Sequence, residues 1–184
     1  MNLALFLLAS VPILVLSWPS LRRPRSHGFF RFFAFESLLG LALLNLGVWF
    51  HQPWSGLQVV SWLFLLASAF LALHAFALLR KLGRPTGAIE TTTVLVTSGA
   101  YRYIRHPLYA SLLYFGWGVF FKDPSMGSSI LVGLASISLF LTAKAEETGN
   151  LAKFGAEYTA LMARTKMFVP LLSSPKNRTF MADA

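Results

Sequence analysis

The residues best placed to do chemistry fall in one stretch, 94–109, which reads VLVTSGAYRYIRHPLY. Two tyrosines (Tyr101, Tyr103) and two arginines (Arg102, Arg105) crowd between a turn at Gly99 and a proline at Pro107. Proline suits the first position of a helix, because the N–H it lacks would be unpaired there anyway. A helix is therefore predicted to begin at Pro107 and run on through Leu108, with His106 as its cap and Tyr109 in its first turn. Such a start offers free N–H groups and a positive dipole end, which together suit an anion. Gly99 gives the preceding turn a position free of Cβ restrictions.

A pair of carboxylates, Glu146 and Glu147, follows downstream. Neighbours on a helix stand about 100° apart, so only one of the two can point fully into a site. The plainer reading of the pair is an acidic start to a surface helix, which the dipole favours. Residue types alone also allow a plainer reading of 94–109, as an interface belt with basic residues at the headgroups and tyrosines across the boundary. Other chemistries are excluded directly. The chain has no cysteine, hence no thiolate, disulfide or cysteine-bound zinc. His27, His51, His74 and His106 show no metal-ligand spacing, so no metal is expected. No Gly-x-Ser-x-Gly, phosphate loop or dinucleotide fingerprint occurs.

The elements that must position these groups belong to a bilayer. Of 184 residues 55% are hydrophobic and only 12% charged, with a mean hydropathy of +0.60. Apolar runs at 3–18, 32–50 and 58–79 each approach the roughly 20 residues that cross a bilayer core. The 32–50 run ends in a turn over 51–56. Runs at 108–121 and 128–143, split by a turn cluster at 122–127, span only about 20–25 Å. They either continue as helix into the interface or form a hairpin set off-centre. Residues 146–164 read as an amphipathic surface helix, with Leu151, Phe154, Tyr158 and Leu161 at helical spacing. The expectation is an all-α integral membrane protein. It has one membrane domain over 1–172, five transmembrane helices, a cytoplasmic C-terminal amphipathic helix, and a polar, disordered tail at 173–184.

Charge sets the orientation. Arg22, Arg23 and Arg25 follow the first apolar run, whereas a cleaved signal carries its charge before it. The first run is thus a transmembrane helix with its N-terminus outside. Five crossings then put every Lys and Arg except Lys122 on one side, which the positive-inside pattern makes cytoplasmic. That accounts for the net charge of +9 with membrane lipids as neighbours and no nucleic acid partner. The inner membrane of a prokaryote is the expected location. Both polar motifs fall on the cytoplasmic side.

The order of residues in those motifs resembles the integral-membrane methyltransferases related to isoprenylcysteine carboxyl methyltransferase and the phospholipid methyltransferases. Leu-Val-Thr-x-Gly-x-Tyr, a short spacer and Arg-His-Pro-x-Tyr run here from Leu95 to Tyr109, followed by Glu146-Glu147 and by Phe154-Gly155-Ala156-Glu157-Tyr158. The resemblance implies S-adenosylmethionine as cofactor and a lipophilic small molecule or lipid as methyl acceptor. It also implies cofactor contacts at Leu95, Val96, Tyr101, His106, Pro107, Leu108, Tyr109 and Glu146. The cofactor's chemistry suits these types. A carboxylate can meet its ammonium or ribose, a helix start its carboxylate, and an aromatic face its sulfonium.

In the isoprenylcysteine enzymes an arginine stands four residues before the first glutamate, where this chain has Thr142. Thr142, Lys144 and Arg164 are the candidates for contact with the acceptor, and a simple prenylcysteine is expected to be a poor one. Glu36 in the second helix is either functional or snorkels toward Arg25 or Arg31. His74 reads as a packing residue, and Gly40 and Gly47 as sites of close helix contact. The function expected is methylation of a carboxylate, amine or thiol entering from the bilayer. The alternatives are an NADPH-dependent reductase related to the sterol reductases, and a non-enzymatic membrane subunit.

Overall fold

The computed structural model describes residues 3–51, 54–84, 86 and 92–170. The tail at 173–184 and residues 52–53 of the expected 51–56 turn lie outside them. The described chain is helical, with α1 (Leu3–Leu21), α2 (His27–Leu44), α3 (Gly56–Leu82), α4 (Pro107–Phe120) and α5 (Met126–Arg164). Short 3-10 turns cover Leu46–Val48 and Gly99–Arg102. Four helices, all but α4, are long and apolar enough to cross a membrane. At about 1.5 Å per residue the 14 residues of α4 reach only about 21 Å.

In the C-terminal part the 128–143 run takes the first of its two alternatives and continues as helix, joining the segment expected as a separate one. The fifth apolar run and the 146–164 helix are one continuous helix, α5, of 39 residues. Lys144, Ala145, Glu146 and Glu147 carry no stop signal, so the helix runs on out of the apolar zone. The interruption comes later, at Gly155, whose φ of 51° and ψ of −121° are a glycine conformation. Of the expected apolar face, Phe154 is half-buried and Tyr158 and Leu161 are buried, whereas Leu151 is exposed.

In space the order of packing is α1 on α2, α2 on α5, α5 on α4, and α4 on α3, with α2 also touching α4. Among the described residues α3 packs chiefly along α4. Two glycines let α4 sit this close. A Cβ on Gly116 would come within 2.8 Å of Leu38 in α2, and one on Gly118 within 2.9 Å of Leu65 in α3. The Ser61 and Ser68 hydroxyls of α3 donate to the carbonyls of Gly118 and Ser111, each at 2.7 Å. Such polar stitches suit helices that have no hydrophobic force between them in lipid. Between α2 and α5 the contact is small and apolar, with Ala34, Leu41, Leu139 and Ala143 fully buried. Gly40 lies between Leu131 and Phe6, whereas Gly47 has no neighbour to approach. Outward-facing Leu8, Leu16, Phe70 and Leu73 are exposed, as a lipid-facing surface requires.

The two ends of the bundle differ. At one end Lys122, the lone Lys or Arg there among the described residues, is buried. Its Nζ donates to Gln58 Oε1 at 2.9 Å and sits 3.7 Å over the Trp62 ring. The other end carries the motif segments and is hollow.

Candidate functional site

That hollow is a cavity of about 330 Å³, near the lower end of the range for small-molecule sites. Its walls come from α2, α3, the 92–101 segment, the start of α4 and the outer half of α5. The first turns of α4 contribute Leu108, Tyr109, Ser111 and Leu112.

Local structure explains how each side chain gets there. Gly99 has φ +56°, and a Cβ on it would lie 2.5 Å from Leu78 and 2.7 Å from His74 of α3. The turn can therefore press onto α3, which carries Tyr101 inward beside Ala75 and Val96. His74 stacks on Phe70 and packs beside this turn, a structural role. Pro107 occupies the first position of α4, as the sequence predicts, and His106 precedes it with no side-chain cap bond. The His106 ring stacks on Tyr109 at 5.7 Å. Tyr109 in turn donates its hydroxyl to Glu146 Oε2 at 2.5 Å, joining the two motifs.

Of the residues proposed for the cofactor, Leu95, Val96, Tyr101 and His106 line the cavity. Leu108, Tyr109 and Glu146 line it too, while Pro107 is buried behind the wall. Between the two glutamates the structure makes a clear division: Glu146 faces the cavity and Glu147 faces away from it, buried. The three candidates for the acceptor are not brought to the cavity. Thr142 is fully buried and donates to Ser138 O at 2.7 Å. Lys144 bonds Glu147 at 3.1 Å from an exposed position, and Arg164 is exposed. Glu36 is not among the residues that line the cavity; it accepts from Ser10 of α1 at 2.6 Å.

Glu147 instead holds the site together. Its Oε1 accepts from Arg105 Nε at 2.8 Å and lies 3.6 Å from His106 Nε2. Arg105 also donates through Nη1 to the carbonyls of Met162 (3.3 Å) and Thr165 (2.5 Å), so it caps the C-terminal end of α5. Backbone bonds from Arg105 and His106 to Lys166 O and Met167 O complete the clasp, at 2.8 and 3.2 Å. Burial by itself would raise the Glu147 carboxyl, but the His106, Lys144 and Arg105 contacts outweigh it and hold it at about 2. Burial raises the Tyr101 phenol and pushes Tyr158 up to about 12, so both remain hydrogen-bond donors at neutral pH.

Several lining residues were not proposed as site residues from the sequence, although Phe154 and Tyr158 belong to the second motif and Leu161 to the expected apolar face. With Asn150 they continue the Glu146 face of α5, Tyr158 and Leu161 beyond the Gly155 break. The spacing of 146, 150 and 154 was the available signal. Arg31 and Phe35, one turn apart on α2, complete the opposite wall. One lining residue has a buried polar atom without a hydrogen-bond partner, the Tyr158 hydroxyl, while His106 Nε2 is turned to the Glu147 carboxylate. Buried polar atoms in a cavity wall mark where a polar ligand group belongs.

Comparison with known families decides the affiliation. The family model for phospholipid methyltransferase matches residues 57–156, which is more than half of the chain. The chain belongs to the phospholipid methyltransferase family. The matched segment contains α3, the 94–109 stretch, α4 and α5 as far as the Gly155 break. It excludes α1 and α2, and therefore Arg31 and Phe35. No curated protein and no solved structure matches the chain significantly. Family and helices together make this an integral membrane protein of a methyltransferase family.

Proposed function

We propose that the protein is an S-adenosylmethionine-dependent methyltransferase whose acceptor is a lipophilic molecule drawn from the bilayer. The observation that carries this is the convergence of both motifs on one cavity, sealed by the Tyr109–Glu146 bond. The residues present fit the cofactor. The Tyr158 hydroxyl is orphaned in the wall and suits a polar group of a ligand. Glu146 suits the ammonium or the ribose diol, the uncapped start of α4 suits the carboxylate, and the Tyr101 and Tyr109 faces suit a cationic sulfur. When bound, S-adenosylmethionine supplies a methyl group on that cationic sulfur. The chain's own task is then to bind, orient and keep water out, which needs neither a protein nucleophile nor a metal.

The charge asymmetry supports a cytoplasmic site, with the N-terminus outside and the C-terminus inside, in the inner membrane of a prokaryote. The reductase and subunit readings draw no support from the family match. The test is transfer of tritium from methyl-labelled cofactor into the organic phase of membranes containing the protein. Label should enter lipid with the unaltered protein and fall at least tenfold with Glu146→Gln. Equal incorporation with and without the protein would reject the reading.

A further inference from the structure

The last part of the cavity wall comes from residues 156–164, the portion of α5 beyond the Gly155 break. Few side chains hold it down. Within it only Tyr158 and Leu161 are buried, and both line the cavity. The segment has a pivot at each end. Gly155 stands at φ 51°, ψ −121°, with open space where a Cβ would be, so no neighbouring side chain braces the turn. Thr165 at the far end is extended, with φ −123° and ψ 157°. Past that second pivot the chain is anchored again. Lys166 O and Met167 O accept from the Arg105 and His106 amides, and Tyr114 donates its hydroxyl to Phe168 O at 3.2 Å. Met167 and Phe168 also pack against the core of Ala34, Tyr109, Leu139 and Ala143.

Among the described residues, the hydrogen bonds that tie this segment to elements other than α5 come from Arg105. Its Nη1 donates to Met162 O and Thr165 O, and Glu147 holds the guanidinium in place. Inside the wall, the Tyr158 hydroxyl is buried without a partner; Asn150 stands beside it across the break without bonding it. A buried, unpaired hydroxyl disfavours the closed arrangement while the cavity is empty. A ligand atom that accepts from this phenol removes the penalty, which gives the ligand a differential affinity for the closed segment. We propose that residues 156–164 form a strap, hinged at Gly155 and latched by Arg105, that swings away to admit a ligand and is drawn shut when the ligand accepts a hydrogen bond from Tyr158. Tyr158 is then a ligand-contacting residue, and Glu147, acting only through Arg105, a positioning residue. That the ligand is the cofactor rests on the methyltransferase reading; hinge and latch stand on the fold alone.

Two measurements on detergent-purified protein test the strap. The chain has no cysteine, so single thiols report exposure cleanly. Leu161→Cys places one on the inner face of the strap, at a position 1% exposed, and Thr142→Cys places one at a fully buried position before the hinge. Without ligand, the Leu161→Cys thiol should react with a water-soluble reagent at least about tenfold faster, as a locally opening segment does. Adding Glu147→Gln should speed that reaction about tenfold more while leaving the Thr142→Cys thiol slow. Equal rates at the two positions, or no effect of Glu147→Gln, overturn the strap. The second measurement needs no cysteine and follows association and dissociation of S-adenosylhomocysteine, the cofactor without its methyl group. Glu147→Gln should speed both rates, since a loosened latch opens the way in as well as out; faster dissociation alone means that Glu147 only shapes the site, and overturns the latch. Tyr158→Phe should speed dissociation about tenfold with association little changed, as loss of one buried hydrogen bond does. Unchanged dissociation in Tyr158→Phe overturns the closing step. Failure of S-adenosylhomocysteine to bind at all rejects the methyltransferase reading and the closing step with it, while thiol labelling still decides the strap.

Discussion

Replacing Glu147 by glutamine tests whether the clasp, rather than packing alone, positions the motif segment. The substitution keeps shape and removes one charge from a site where the carboxylate is 3% exposed. It leaves the Arg105 guanidinium, itself only 10% exposed, facing carbonyls without its counter-charge. Moving a carboxyl from 4.5 to about 2 corresponds to about 3 kcal/mol at roughly 1.4 kcal/mol per pH unit. Breaking a buried pair by removing one partner costs about the same, on the order of 3–5 kcal/mol. The readout is hydrogen exchange at the Arg105 and His106 amides, which bond Lys166 O and Met167 O across the clasp. A loss of about 3 kcal/mol predicts exchange faster by roughly a hundredfold at those amides, with the α3–α4 contact unaffected.

The clasp also carries a pH dependence. A carboxyl lowered by folding contributes stability that is full above its ordinary 4.5 and is lost as pH falls from there through about 2. The unaltered protein should therefore lose clasp protection over that window, and Glu147→Gln should show no such loss. Unchanged exchange at Arg105 and His106, or an identical acid profile in the two proteins, would refute the reasoning.

Three further outcomes are expected. His106→Ala and Glu146→Ala should each weaken S-adenosylmethionine binding by about 1.5–3 kcal/mol, as loss of a charge-assisted hydrogen bond does, whereas exposed Glu157→Ala should not; equal affinity across the three variants in calorimetry speaks against the site. Gly155→Ala has open space for its methyl group but forces an alanine into φ 51°, ψ −121°, so thermal denaturation in detergent should show a loss of about 1–3 kcal/mol. Cysteines placed singly at exposed Ser125 and Glu157 should react differently with an impermeant thiol reagent on intact cells, Ser125 labelling and Glu157 protected; the reverse result inverts the orientation.

Much of this site was legible because the motif residues lie close in sequence. Gly99, His106, Pro107 and Tyr109 need only local geometry to be placed, and the turn and helix start follow from residue type. The choice between Glu146 and Glu147 was not legible, since two positions 100° apart look alike until the packing of α5 on α2 and α4 is known. Whether the 128–143 run continues as helix was left open, because polarity changes at 144–146 while helix propensity does not; the structure has it continue. Arg31 was hidden for a related reason. In sequence it is one more positive residue at a membrane edge, and only the contact of α2 with α5 turns it toward the cavity. Thr142 had the opposite fate, aligned with a substrate-binding arginine by register but buried against its own helix.

The central claim is that the cavity between the two motifs holds S-adenosylmethionine. Its most direct test is titration of the detergent-purified protein with S-adenosylmethionine and, side by side, with NADPH. The account predicts saturable, one-to-one binding of S-adenosylmethionine that Glu146→Ala weakens by at least tenfold, and no binding of NADPH. Saturable NADPH binding without S-adenosylmethionine, or binding of neither, contradicts it.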